Sequence, residues 1–333
     1  MSSFKDAEKE RYAKIKGQLF PAAACAPGTY LKIPRPFCLA DGYAAENLHI
    51  SLRDEAITYF RERHIPWHAG VGDGLPSNHL CCSQSACVNT LWHFRHDGAF
   101  LASVFNLFLP ELAETLPFDA DKDPEKTTDP FLAFEWVDLN NCLGEKGRRP
   151  RGANATSADF AFRFRRTDGK VQLVLGEWKY TESYTGQKDA NATRHATRLA
   201  IYRSAYERWA ASQPELPAYE SLFVEPFYQL MRLTLLAREI ERCGHDGPMQ
   251  ADVVSVVHIS PRANWDFAHS FSSPLMKGYG DTVSKAWQAV APVGRFTPIA
   301  SEDLLDQIGH VAPPHLAGWR DWLLLRYGWW HGI

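Results

Sequence analysis

The stretch from Ala158 to Tyr180 constrains this chain more than any other. Phe160, Phe162 and Phe164 alternate with Asp159, Ala161 and Arg163, the two-residue period of a strand with one aromatic face. A second apolar run, Val171 to Tyr180, follows after Arg166-Thr167-Asp168-Gly169-Lys170. Thr167–Gly169 fits a three-residue hairpin loop, a type I turn closed by a left-handed glycine. That loop pairs Arg166 with Lys170 and, carried along the ladder, sets Asp159 opposite Glu177. A two-residue Asp-Gly loop would slip the register by one and set Asp159 opposite Trp178 instead.

With the first register, Asp159, Glu177 and Lys179 share one face of the hairpin, and Trp178 takes the other. Two opposed carboxylates repel, and a divalent cation between them reverses the sign, since Mg²⁺ prefers hard oxygen ligands and a few carboxylates plus waters. Lys179 beside them can orient an attacking water or stabilise charge on a phosphate. Asp159, Glu177 and Lys179 are therefore the candidate catalytic set. Asp159 and Glu177 are candidate Mg²⁺ ligands, with Mn²⁺ as a substitute. Glu135, on the strand Phe131–Val137, is a candidate third acid. The plain alternative is a surface strand whose Glu and Lys form an ordinary pair, worth little. Glu177-x-Lys179 is the one Glu-x-Lys in the sequence.

The hairpin sits in a chain of 333 residues, enough for one domain with extensions or two poorly separated ones. Residues 1–50 read as irregular, with a Pro/Ala/Gly-rich stretch over 21–36. A helix is expected over Ser51–Arg63, a loop over His68–Ser77, a mostly helical segment over Asn78–Phe108 and an acidic linker over Asp119–Pro130. Helices are expected over 189–211 and 225–243, a buried strand over 251–259 and a last helix over Gly318–Trp330. The order of helix, three strands, helices and strand predicts an α/β fold with a mixed sheet of about four or more strands flanked by helices. The expected division is an N-terminal extension over 1–70, a core over 71–262 and a C-terminal extension over 263–333.

Net charge is −3, yet 146–208 holds 14 Lys/Arg against 6 Asp/Glu. A basic middle in an acidic chain suits a polyanion partner, here nucleic acid, or simply a solvated basic face. Arg148, Arg149 and Arg151 are the candidate phosphate contacts, with Arg194, His195 and Arg198 behind them. Gln84, Glu182, Gln229 and Arg232 are candidates to line the site. His79, Cys81, Cys82 and Cys87 lack the spacing of a zinc site and read better as buried groups. The C-terminal tryptophans read as core. Seven cysteines, an odd number, and a charged N-terminus point to reduced thiols in the cytoplasm. No 18-residue apolar run spans a membrane, and neither GxxxxGK[ST] nor GxGxxG is present.

The run SADFAFRFRRTDGKVQLVLGEWKYTESY resembles the catalytic hairpin of the PD-(D/E)xK nuclease superfamily. SNHLCCSQSACVNTLW (77–92), FEWVD (134–138), EPFYQLMRLTLLA (225–237) and the strand ending HIS (258–260) resemble a bacterial group of restriction-endonuclease-like proteins. The resemblance spans roughly residues 40–262. It implies a restriction-endonuclease-like core hydrolysing phosphodiester bonds, with DNA as the expected substrate. Asp159 and Glu177 would bind Mg²⁺, and Lys179 would act on the water. A homodimer would suit double-strand cutting. Two departures stand out. The first core helix of the superfamily often carries a Glu, and here it offers Gln84; Ala158 replaces the Pro that usually precedes the Asp. The rival reading is a binding module that keeps the fold and lacks the catalysis.

Overall fold

The computed structural model describes residues 3–72, 74–118, 130–149, 155–184, 192–213, 215–243, 251–271 and 273–331. Most of the acidic linker, Arg151, and the side chains of Arg194 and His195 lie outside the described residues.

The N-terminal region is more regular than its composition implies. Phe4–Leu19 forms α1, capped by Ser3, whose side chain accepts the Asp6 N–H. That cap and the absence of Gly or Pro before Gly17 outweigh a weakly amphipathic sequence. Gly28–Tyr30 (β1) and Ile33–Arg35 (β2) make a small hairpin. Arg53–Glu62 is α2, Ser83–Leu91 is α3 and Gly98–Phe105 is α4. Leu112–Leu116 forms β3, which the sequence reading missed, and Leu132–Val137 forms β4. The hairpin strands are β5, Ser157–Arg166, and β6, Val171–Trp178. Ala192–Ser212 (α5) and Phe227–Cys243 (α6) lead to β7, Val253–Ser260. Trp265–His269 (α7), Val283–Val290 (α8), Phe296–Ala300 (β8), Ser301–Val311 (α9) and Ala317–Tyr327 (α10) follow.

Six strands form one mixed sheet. The order is β3-β5-β6-β7-β8, with β4 pairing along the same edge of β5 as β3. β5 pairs antiparallel with β3, β4 and β6, while β6–β7 and β7–β8 are parallel. The helical pair α5 and α6 makes the crossover that a parallel β6–β7 pairing requires. The last strand, β8, comes from the segment after residue 262.

Both faces of the sheet are covered. Phe134, Phe160, Phe162, Phe164 and Trp178 pack with Tyr12 of α1, Phe60 of α2, Trp92, Leu101 and Trp319. Ala161, Leu173, Leu175, Val254 and Val256 pack with Trp209 of α5, Met231 of α6 and Trp287 of α8. The three hairpin phenylalanines thus point to the layer built by the two ends of the chain, as their alternation requires. The tryptophan Trp319 is core.

Candidate functional site

The loop between β5 and β6 has the three-residue form. Arg166 N–H donates to Lys170 O at 2.8 Å, and Gly169 has φ +85. The register runs Arg165↔Val171 through Phe160↔Gly176, so the next position of the ladder puts Asp159 opposite Glu177. On the other side, β4 pairs Phe134↔Phe160 and Trp136↔Ala158, which puts Glu135 across from Asp159. One row of the sheet therefore carries three acids, Glu135, Asp159 and Glu177, on three adjacent strands. The row continues to His258, paired with Glu177 in the parallel β6–β7 ladder.

Local backbone explains why this row can exist. Glu135 adopts φ +47, a left-handed conformation that costs an ordinary side chain energy. The reversal breaks the alternation of β4, so Phe134 packs in one core and Trp136 in the other. Gly176, one residue before Glu177, faces the ring of Phe160, where a Cβ would lie 2.2 Å from the ring. A glycine there lets the aromatic stack of β5 close against β6.

The row ends in a cavity of about 240 Å³, lined by Gln84, Glu135, Asp159, Glu177, Lys179, Glu182 and Gln229 together with His68, Cys87 and Tyr184. Lys179 is buried and donates at 2.6 Å both to Glu177 Oε1 and to Gln229 Oε1. Its backbone N–H continues the ladder to Ile259 O at 2.8 Å. Burial alone would pull the ammonium down, but Glu177, with Tyr184, Glu182 and Asp159, holds it well above its ordinary value. Asp159 Oδ2 accepts the Trp178 N–H at 2.7 Å. Burial, with the charges of Glu177 and Glu135, pushes the Asp159 carboxyl well above the ordinary carboxylate range. Glu135 is buried, and burial pushes it up against the pull of His68 and of Gln84. Gln84 Nε2 donates to Glu135 Oε1 at 2.7 Å, and Gln84 Oε1 accepts the His68 N–H at 2.7 Å. Glu182 folds back to accept the Tyr180 N–H at 2.6 Å. Buried Asn264 donates to Tyr180 O and Glu182 O, both at 2.9 Å, and so fixes the chain just past Lys179.

Other predicted residues lie elsewhere. Arg232 is not at the cavity; it reaches back to Ala155 O and Thr156 Oγ1 and clasps the start of β5. Its spacing from Gln229 is right for a shared face, but nearby backbone acceptors and Glu145, 3.9 Å away, claim the guanidinium. Arg149 donates to Asp138 O at 2.8 Å and to Leu139 O at 3.4 Å, closing its own loop. Arg148 is exposed on that loop, and Arg198 lies over the Tyr228 ring at 5.0 Å.

Matched against known families, residues 5–328 fit the one described as restriction endonuclease associating with ARP. The chain belongs to this family. No curated protein and no solved structure matches it. The match takes in α1 at one end and α10 at the other, so the helices that close one face of the sheet lie within the span the family covers. For this restriction-endonuclease-family chain, Glu225 is a site neighbour that the sequence reading did not find. Burial pushes its carboxyl up, and Lys179 opposes that shift; its Oε2 is buried with no hydrogen-bond partner among the described residues. His68 was likewise missed. A lone histidine in a glycine-rich loop carries no spacing signal, and only the packing of that loop beside α3 brings it to the acids.

Chemically, the acid row suits a hard divalent cation. The protein's own contacts engage Asp159 Oδ2 and Glu177 Oε1, leaving a second oxygen on each carboxylate. Among the described residues no three His, Cys, Asp or Glu side chains converge tightly enough to enclose an ion as they stand. A pair of carboxylates completed by waters is the coordination Mg²⁺ commonly accepts.

Proposed function

We propose that this protein is a Mg²⁺-dependent nuclease that hydrolyses phosphodiester bonds, with DNA as its substrate. The observation that carries the reading is the register that sets Asp159 opposite Glu177 with Lys179 on the same face. Opposed buried carboxylates destabilise a sheet unless something compensates them. Asp159 and Glu177 would hold the cation, with Glu135 in reserve on Gln84. The bound ion would supply charge neutralisation and a water of lowered pKa. Lys179, whose ammonium Glu177 holds above its ordinary value, would place positive charge at Nζ, where a phosphate oxygen gathers negative charge. Gln229 and Glu177 fix the direction of that ammonium. Gln84 orients Glu135, and Asn264 keeps the strand end from fraying.

A binding module without catalysis is the second reading, favoured by the absence, among the described residues, of a converged three-ligand group. Cleavage of supercoiled plasmid and of a single-stranded oligonucleotide with Mg²⁺ or Mn²⁺ tests the choice, beside Glu177→Ala and an EDTA control. Metal-dependent cutting lost in Glu177→Ala is expected. Cutting that survives the substitution would sink the assignment, and none by the wild type would leave the binding module.

A further inference from the structure

A second cleft, of about 200 Å³, shares His68, Ser83, Gln84 and Glu182 with the acid-lined cavity and continues it toward Lys5, Tyr30 and His79. On its far wall the β1–β2 hairpin contributes Tyr30. The two residues at the tip of that hairpin, Leu31 and Lys32, have φ +51 and +64. Asn-Gly accepts such a turn cheaply, whereas Leu and Lys are strained in it. The tip also exposes apolar surface: Leu31 is 76% and Ile33 49% exposed. A strained turn that displays leucine where a polar turn would be more stable indicates that its side chains are used.

The chemistry of the cleft fits one kind of occupant. Lys5 lines it; Lys9, outside the lining, stands 5.4 Å from the Phe37 ring and pairs with Asp6 at 2.9 Å. The Tyr30 ring meets His79 edge-on at 4.7 Å. His79 Nδ1 accepts the Cys81 N–H at 3.0 Å, so the neutral ring carries its proton on Nε2. Burial, with Lys5 and Lys9, pulls this histidine down to about 4 and keeps it neutral. A lysine beside an aromatic ring, here Lys5 and Tyr30 in one lining, is the pairing that a groove for an unpaired strand uses. Both spaces are smaller than the roughly 300 Å³ at the low end of pockets for drug-sized ligands, which suits successive nucleotides of one strand better than stacked base pairs.

We propose that the cleft between α1, His79 and the β1–β2 hairpin binds the unpaired strand next to the scissile phosphate, with Tyr30 as its base-stacking ring, Lys5 as its phosphate contact and the Leu31–Lys32 tip against the adjoining duplex end. The proposal rests on the nuclease reading for the position of the scissile phosphate. The test measures binding apart from cutting: fluorescence anisotropy in EDTA with a single-stranded oligonucleotide, a forked duplex and a blunt duplex, followed by cleavage of each in Mg²⁺. Tyr30→Ala with Lys5→Glu should weaken single-strand and fork binding about tenfold or more. Leu31→Asn with Lys32→Gly should raise the melting temperature, because it supplies the turn the backbone prefers, and should weaken fork binding more than single-strand binding. The raised or unchanged melting temperature shows that lost binding is not lost folding. Unchanged affinity in both double variants, or a wild type that binds blunt duplex as tightly as fork, would overturn the cleft assignment even where cutting is robust. If the wild type binds forks and the variants lose it while no substrate is cut, the cleft stands and the nuclease reading falls.

Discussion

At the scale of single residues, the decisive pair is Glu177 and Lys179, each about 6% exposed at the side chain and 2.6 Å apart. Removing one partner of such a pair leaves a buried charge alone, a loss of about 3–5 kcal/mol, whereas removing both is often neutral. Lys179→Met should therefore destabilise by that amount, and Glu177→Gln with Lys179→Met should recover most of it while staying inactive. Urea unfolding of the two singles and the double reads the coupling; additive losses would mean that the pair is not an energetic unit. Asp159 makes a separate prediction. Its folded carboxyl holds a proton to higher pH than the unfolded chain does, so without metal the fold binds more protons and its stability falls as pH rises above the ordinary carboxylate value of 3.8. Asp159→Asn should flatten that fall, raising the melting temperature in EDTA at neutral pH by a few degrees. Mg²⁺ should raise the melting temperature of the wild type and not of the variant. A variant that gains as much from Mg²⁺ as the wild type would place the ion elsewhere.

At the scale of elements, the β5–β6 hairpin joins sequence to site. Gly176→Ala would drive a Cβ into the Phe160 ring, an overpacking cost of about 1–3 kcal/mol. Phe160→Leu should relieve part of it in the double variant, as thermal melting would report, and an additive double variant would mean that the strain lies elsewhere. This hairpin was legible from sequence because turn chemistry sets its register and alternation sets its faces, both local rules. The site beyond it was legible only in part. Glu135 was picked out as an acid on the neighbouring strand, but its left-handed backbone and its bond to Gln84 depend on how α3 lies against β4. Gln84 stood out only because it occupies a position where an acid was expected. Arg149 reads as a phosphate contact and Arg232 as a site-lining residue because a sequence shows a guanidinium but not the carbonyls waiting for it. β3 and β8 escaped notice for a related reason. LAETL and FTPIA are five-residue runs with weak alternation, and what makes them strands is the open edge each one pairs with. α1 escaped because its buried face mixes Tyr12, Ile15 and Leu19 with Glu8 and Lys16, so no apolar stripe stands out in the sequence.

At the scale of the whole molecule, the two ends of the chain are locked together over the face of the sheet opposite α5 and α6. Arg326 of α10 is fully buried. It donates to Asn47 O at 2.7 Å and to Asn47 Oδ1, and its guanidinium lies within 5.8 Å of the rings of Tyr12, Phe20, Trp322 and Tyr327. Arg11 of α1 reaches back to the backbone oxygens of Leu325 and Arg326 while pairing with Glu8. Glu8 in turn accepts from Tyr180, whose hydroxyl lies 2.9 Å from that of Tyr12. A continuous buried polar chain thus runs from α10 through α1 to the residue after Lys179. Such a network stabilises to the degree that its members are satisfied; among the described residues Arg326 Nε is the member left without a hydrogen bond. Arg326→Leu leaves Asn47 Oδ1 without this donor and removes the cation from among four rings, and should cost about 1–3 kcal/mol. Because the network joins both ends to the site strand, the loss should appear as one cooperative transition at lower temperature, seen equally by circular dichroism and by tryptophan fluorescence. A variant in which the fluorescence of the C-terminal tryptophans melts first while the circular dichroism transition keeps its wild-type midpoint would show that α10 is only an appendage, and that the path from the chain ends to Lys179 carries no stability.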